Sequence, residues 1–506
     1  MPFRNSGQSS LAEARRRGRA ASCGGMVALR RTHLIYVFAL VTALGLRALA
    51  VLGYPSVLWF GDSVTYLRDA LDLAPSKLRP SGYSVFLRSL APLHSFTFVV
   101  IVQHLLGIAT GTMLYALVRR ASLAAWPDRP WRAALLGTAA AVPILFDAYQ
   151  IELEHLLMSD ALFICLTVAA VTLLLWRRRP TWWLGALAGL ALAAATVTRT
   201  VGLPLIFVFV LYLLLRRVSW RTIGATAAVF TLGVAAYAGW YKAEHGEYAL
   251  SNTTGFFLYG RTAAFADCDV IQPPPELARM CRDWRTYDTA VAPGYSALWG
   301  PDSPFKKIRG GIAGDRADRL GTRFAKHAIA AQPLGYLQAV ARDTARSFAW
   351  TRSAYPTVHT AAEYRFPKRG WRLSGATALS DRYGGATARP RVVEPAAGLI
   401  RAYQSFAYLP GTLLAALLLA ALTGLVRNRL GGPALLAWLT AATLLLVPPL
   451  IADFDYRYVL PVIPFAALAA LLAFIPEQRA KTQKVIFRFR AQEGICNTSG
   501  ENLNRV

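Results

Sequence analysis

Apolar residues run through this chain in long blocks, and short polar stretches separate them. A helix that crosses a bilayer needs ~20 mostly apolar residues. Ten stretches approach that length: about 33–53, 97–118, 133–148, 158–176, 182–198, 201–215, 221–241, 405–426, 432–450 and 457–475. The third and sixth are short, and Pro143 interrupts the third. Basic runs fix their order. With a cytoplasmic N-terminus, every even-numbered span ends at a basic cluster: Arg119-Arg120, Arg177 to Arg179, Arg216-Arg217, Arg427 with Arg429, and Arg479 with Lys481 and Lys484. Lys and Arg mark cytoplasmic loops, so one assumption accounts for all five.

This order divides the chain. Residues 1–32 form a basic cytoplasmic tail and 33–241 an N-terminal membrane bundle whose first outside loop is 54–96. Residues 242–404 form an exported insert of 163 residues, 405–475 the C-terminal membrane helices, and 476–506 a second cytoplasmic tail. Met26 is an alternative start, and the first span reads as a signal-anchor because no cleavage site precedes a soluble domain. The expected fold class is an all-α polytopic membrane protein of about ten transmembrane helices. No internal repeat is evident, unlike the transporter folds built from repeats.

Composition agrees with this reading. Hydrophobic residues make up 55% and charged residues 16% of the chain, against ~25% charged in an ordinary soluble domain. The mean hydropathy is +0.36. A net charge of +27 raises the question of nucleic acid, but the Arg are spread in short runs after apolar stretches, which argues against such a partner. The five Cys form no CxxC pair, so a structural zinc site is not expected. Cys268 and Cys281 flank a Pro-rich turn in the exported insert, where an oxidising compartment favours a disulfide.

Chemistry gathers on the outside face. The first loop carries Gly61-Asp62 before a helical stripe of Val64, Leu67, Ala70 and Leu71. This helix is too short to span and is expected to lie in the interface. Asp62 is either the helix N-cap or a rigidly held general base at the membrane–water boundary. Lys77, Arg79 and Tyr83 flank the Pro80–Gly82 turn and could meet a phosphate or lipid headgroups. The second loop holds Asp147, Glu152, Glu154, His155 and Asp160; Glu152 and His155 share a helix face, which makes a divalent metal conceivable with Glu152, Glu154 and His155 as ligands. Arg199 and Arg457 stand at outer turns where the positive-inside rule does not want them. A guanidinium there offers a planar fork to a phosphate; the alternative is pairing with a nearby Asp, such as Arg457 with Asp455. Within the insert, 316–350 reads as amphipathic helix interrupted at Pro333, and 351–400 as loop.

The stretches FGDSVTYLRDA, RPSGYSVFL, MSDALF, TRTVGLP and RYVLPVIP, taken in this order and sidedness, resemble the GT-C superfamily of integral membrane glycosyltransferases that use lipid-phosphate-linked sugars. The aminoarabinose transferase and protein O-mannosyltransferase type is the most similar, and FLYGRTAAFADC looks like uncharacterised actinobacterial-type members. The resemblance implies a polyprenyl-phosphate-linked sugar donor, a glycan, lipid or protein acceptor, and inversion at the anomeric carbon. It implies Asp62 as the base, Arg199, Arg457, Lys77 and Arg79 at the donor phosphate, and Tyr66, Tyr83, Glu154, His155, Asp160 and Tyr458 around the substrates. It names no certain cofactor, a divalent metal being possible. Several relatives carry Asp-Glu where this chain has Asp62-Ser63, so the second acid beside Asp62 is missing. Other readings are a transporter or flippase, which needs ionisable residues in mid-span, with Arg47, Gln103 and His104 as candidates, and an O-antigen-type polymerase or ligase.

Overall fold

The computed structural model describes residues 33–288, 290–308, 310–429 and 431–476. The expected tail 1–32, with Met26, and the tail beyond 476 fall outside them.

Each apolar stretch is a helix. Among the described residues five helices are long and apolar enough to cross a membrane: α1 (His33–Gly53), α4 (Phe96–Ala125), α10 (Trp220–His245), α20 (Ala434–Ile451) and the segment Tyr456–Ala473, which ends in α21 (Ile463–Ala473). The third predicted span continues as a broken one, α5 (Pro130–Phe146) followed by α6 (Ala148–His155) at a 54° bend. Shorter apolar helices are α7 (Asp160–Leu175), α8 (Trp182–Thr198), α9 (Leu205–Leu215) and α19 (Gly411–Arg427). Between α1 and α4 lie α2 (Ser63–Asp72) and α3 (Gly82–Leu90). Of the stripe read from the sequence, Leu67, Ala70 and Leu71 are buried.

Small residues bring the helices together. Gly185 and Gly189 of α8 lie against α10, where a Cβ on Gly189 would collide with the Thr226 carbonyl oxygen. This is the small-xxx-small spacing that lets helix backbones touch where lipid provides no hydrophobic drive. The Ala-rich α21 is the central post, packed on α19, α20 and α5 and almost wholly buried.

Three of the five basic runs converge on one end of the bundle, where Arg119, Arg120, Arg177, Arg178 and Arg216 line a cavity of about 770 Å³. The polar loops and the insert occupy the other end. There a short parallel bridge ties the first loop to the second: the Leu58 N–H donates to the His155 carbonyl at 3.0 Å, and the Leu157 N–H to the Leu58 carbonyl at 2.9 Å.

The insert is more helical than its sequence implied. It holds α11 (Thr254–Thr262), α12 (Cys268–Ile271), α13 (Pro293–Trp299), α14 (Asp315–Ala331), α15 (Pro333–Arg346), α16 (Val358–Glu363), α17 (Thr377–Gly384) and α18 (Ala396–Gln404). Pro333 opens α15 rather than breaking a helix, a position where its missing N–H costs nothing. The stretch 351–400, expected to be loop, contains α16, α17 and most of α18; helices of this length leave little periodic signature. Phe256, Tyr259, Phe305 and Phe324 build a core within the insert, closed by the Cys268–Cys281 disulfide. Tyr364, Phe366, Tyr383 and Ile400 instead join the core of the membrane bundle.

Candidate active site

Asp62 occupies the N-cap position of α2, but its side chain makes no capping bond; only its backbone carbonyl accepts, from Thr65 N–H at 3.1 Å. The carboxylate turns into the protein. Arg79 donates to Oδ1 at 2.5 Å and Arg457 to Oδ2 at 2.8 Å. The Asp62 side chain is 11% exposed and that of Arg457 8%. Burial pushes the Asp62 proton affinity up, but Arg79, Arg457 and Arg199 together outweigh it and hold the carboxyl below its ordinary range.

The three guanidiniums have an aromatic setting. Arg457 lies over the rings of Phe60 and Tyr458, 5.2 and 5.4 Å from their centroids. Arg199 lies over the other side of the cluster, 5.7 Å from Tyr458 and 5.8 Å from Phe163, and is ion-paired with the buried Asp160. Asp455, the partner expected for Arg457, forms an ion pair with it at 3.8 Å, accepts from the Arg457 backbone N–H at 3.1 Å and also accepts from the Tyr364 hydroxyl. Burial pushes Asp455 above its ordinary range, with Arg457 opposing.

A cavity of about 640 Å³ opens beside this cluster. Arg79, Arg199, Arg457, Tyr66 and Tyr458 form its polar wall, and Val201, Leu203, Pro204, Val447, Leu450 and Ile451 its apolar wall. Leu203 and Ile451 remain about two-fifths exposed on the helix surface. Tyr66 also hydrogen-bonds Ser159 at 3.0 Å. The cavity can take an amphiphile with an anionic head and a hydrocarbon body.

Thus Arg79, Arg199, Arg457, Tyr66, Tyr458 and Asp160 are brought together around Asp62. Four other expected residues are not. Lys77 is 2.8 Å from Asp315 at the start of α14 and docks the insert. Tyr83 is fully buried and donates to Gln103 Oε1 at 2.5 Å. Glu154 and His155 lie inside the bundle because the bend between α5 and α6 turns α6 inward. Arg47 donates to Glu154 from Nε at 2.8 Å and from a terminal nitrogen at 2.9 Å. His104 joins Glu154 at 3.0 Å and His155 at 3.1 Å, and His155 reaches the Tyr54 carbonyl at 2.8 Å. The mid-span Arg47, Gln103 and His104 are thereby all partnered.

Glu152, Glu154 and His155, the residues weighed as metal ligands, do not form a three-ligand cluster in this arrangement. Among the described residues no three His, Cys, Asp or Glu side chains converge to hold an ion. The Glu154 carboxylate is already neutralised by Arg47, and the Asp147 side chain caps α6 by accepting from Tyr149 N–H at 2.8 Å.

Sequence reasoning missed the contribution of the insert. Glu363, at the end of α16, stands close to the backbone N–H of Gly61, the residue before Asp62. Burial, reinforced by Asp455 and Asp62 and opposed by Arg457, pushes its carboxyl up to about 7. Glu363 lines a second cavity of about 740 Å³ with Arg352, His359, Arg365, Lys368 and Trp371. One signal was present in the sequence: Glu363 is one of three acids in 351–404, a stretch otherwise strongly basic.

No family model and no curated protein matches the chain. Two solved structures are similar, both of ArnT from Cupriavidus metallidurans. The apo crystal structure is 13% identical, with 87% of this chain and 76% of that chain covered and a TM-score of 0.29. The structure bound to undecaprenyl phosphate is 12% identical, with 87% and 77% covered and a TM-score of 0.31.

Proposed function

We propose that the protein is a membrane glycosyltransferase that moves a sugar from a polyprenyl-phosphate-linked donor to an acceptor at the outer face of the cytoplasmic membrane. The observation that carries this reading is the meeting of Arg79, Arg199 and Arg457 around Asp62 at the edge of a cavity whose other wall is membrane-apolar. A polyprenyl phosphate has that polarity: one charged head and a long hydrocarbon. The gathering of three of the basic runs at the opposite end of the bundle supports the sidedness.

In the resting protein Asp62 keeps two of the guanidiniums oriented. An arriving phosphate competes for them. As the bond between the anomeric carbon and the phosphate oxygen lengthens, charge grows on the phosphate, and fixed cations in a sheltered site stabilise that charge more than water does. Asp62, ionised, faces the opposite charge developing on the sugar. While Arg79 and Arg457 hold it, its affinity for a proton is low, so the base role expected of Asp62 requires the phosphate to draw those arginines away.

A transporter reading has one observation in its favour, the Arg47–Glu154–His104–His155 chain inside the bundle, since ionisable groups there are costly and usually functional. Each member has a partner, however, and the chain ends on the carbonyls of Tyr54 and Ser56 in the first loop. It holds that loop rather than lining a path.

The test is release of free polyprenyl phosphate from a panel of polyprenyl-phosphate sugars by purified protein in lipid, wild type against Asp62→Asn. Release that disappears in a folded variant supports the reading and identifies the donor. Equal release in both removes Asp62 from the reaction, and no release by intact wild type from any donor rejects the transferase.

A further inference from the structure

We infer that Glu363 is the catalytic proton acceptor of this site: it takes the proton from an acceptor hydroxyl that enters through the cavity of Arg352 and Trp371, while Asp62 stays ionised among its arginines. The inference rests on the transferase reading and deepens it.

Three features of placement carry it. First, cavity lining divides the two carboxylates, whose side chains are about equally buried, 8% exposed for Glu363 and 11% for Asp62. Glu363 lines the 740 Å³ cavity, whereas Asp62 lines neither that cavity nor the one that would hold the donor. Second, occupancy divides them. Each Asp62 oxygen holds an arginine, at 2.5 and 2.8 Å, whereas among the described residues the Glu363 carboxylate pairs with no arginine or lysine and has an exposed His359 at 3.4 Å on its own helix. Third, the position is built. Tyr364 next door packs its ring 5.2 Å from Phe60 and bonds Asp455, so the end of α16 is clamped to the first loop just before Asp62 and to the last loop just before Arg457. The insert thereby supplies from residue 363 the second acid that position 63, a serine, does not.

The field around Glu363 suits a base at neutral pH. Asp62 and Gly61 face it from the first loop, Asp455 and Arg457 from the last, His359 from α16, Tyr295 from α13, and Glu152 with Arg352 from the α6 side. The carboxylates oppose its ionisation and Arg457 favours it, leaving its midpoint about 7. A general base works best with a proton affinity near the operating pH. Asp62, held below its ordinary range, is too weak a base while paired.

The step balances. The acceptor oxygen forms a bond to the anomeric carbon as its proton passes to the Glu363 carboxylate. The bond from that carbon to the phosphate oxygen breaks, and its electron pair stays on the phosphate beside Arg79, Arg199 and Arg457. The proton leaves Glu363 to water in the open cavity.

The experiment measures polyprenyl phosphate release across about pH 5.5 to 9 with wild type, Glu363→Gln and Glu363→Asp in lipid, using the active donor and extracted envelope glycans and lipids as acceptors. The base form predominates above its midpoint, so wild-type kcat rises with pH through about 7. Glu363→Gln lowers kcat on the order of 10²-fold or more and removes that rise. Glu363→Asp keeps a rise at lower rate. Binding of polyprenyl phosphate, which depends on the arginines, is unchanged in both and shows that they fold. A purely structural Glu363 would not move the pH profile. Wild type that releases phosphate, with the rise intact in Glu363→Gln, overturns the role of Glu363 alone. Wild type that releases nothing from any donor overturns the transferase reading and this role with it.

Discussion

Replacing Glu154 by Leu tests the physics of the bundle interior. Glu154 is fully buried, Arg47 is 3% exposed, and two hydrogen bonds of 2.8 and 2.9 Å join them. Removing the carboxylate strands a guanidinium whose other contacts are the carbonyls of Leu145 at 2.9 Å, Ile144 at 3.3 Å and Ala43 at 3.3 Å. Breaking a buried pair by removing one partner costs about 3–5 kcal/mol, because a charge is left uncompensated. His104 and Gln150 lose an acceptor as well, at 3.0 and 3.1 Å, and each such orphan costs about 1–3 kcal/mol. Arg47→Met is expected to destabilise by a similar amount. The double variant Arg47→Met/Glu154→Leu removes both charges, and paired replacement of a buried ion pair by apolar residues is often neutral. It should recover at least half of the loss, leaving mainly the orphaned His104 and Gln150. The assay is a double-mutant cycle on thermal unfolding of the purified protein in matched lipid, read as the fraction surviving size-exclusion after heating. A double variant whose loss equals the sum of the two single losses would refute the reasoning, since it would mean that the two charges do not depend on each other.

Three further outcomes follow from the same contacts. Gly107→Ala should destabilise severely, because a Cβ there would collide with Glu154 Oε1; the same unfolding assay reads it, and an unchanged midpoint rejects the packing. Ser in place of both Cys268 and Cys281 should loosen the insert core by about 3 kcal/mol, the chain-entropy value for closing a loop of this size, seen as faster proteolysis between α11 and α14 with the membrane bundle intact. Asp453 is pushed up to about 6 by burial, with Arg261 opposing and Asp343 adding, against an ordinary 3.8. The folded state therefore holds a proton that the unfolded state has released, and stability falls as pH rises from about 4 through 6. Asp453→Asn should match wild type near pH 4 and exceed it above pH 7, and a variant no more stable than wild type at pH 8 counts against this sign.

The helices were legible because a bilayer-length apolar run can satisfy its backbone in lipid only by closing every hydrogen bond within itself. All ten stretches reappear as helices, though only five meet the length for crossing without help. Arg199 and Arg457 were legible as misfits, basic residues at the end that should lack them. The burial of α6 was not. Its acids read as part of the second outside loop because the bend at Asp147, fixed by contacts to Tyr149 and to Leu409 far along the chain, cannot be seen in local composition. Glu363 was hidden for a related reason. A six-residue helix carries no periodicity, and its meaning comes from a dock against Phe60 and Gly61, far earlier in the chain.

Asp62 and Arg457 stand 395 residues apart. A ribosome feeding this chain into a membrane delivers Asp62, Arg79 and Arg199 long before it delivers the last arginine, with the whole insert synthesised in between. Until α20 and α21 are in place, the carboxylate has two of its three cations and the central post of the bundle is absent. The cluster is therefore completed late in the chain, and any product that stops before residue 457 lacks one of the guanidiniums that hold Asp62.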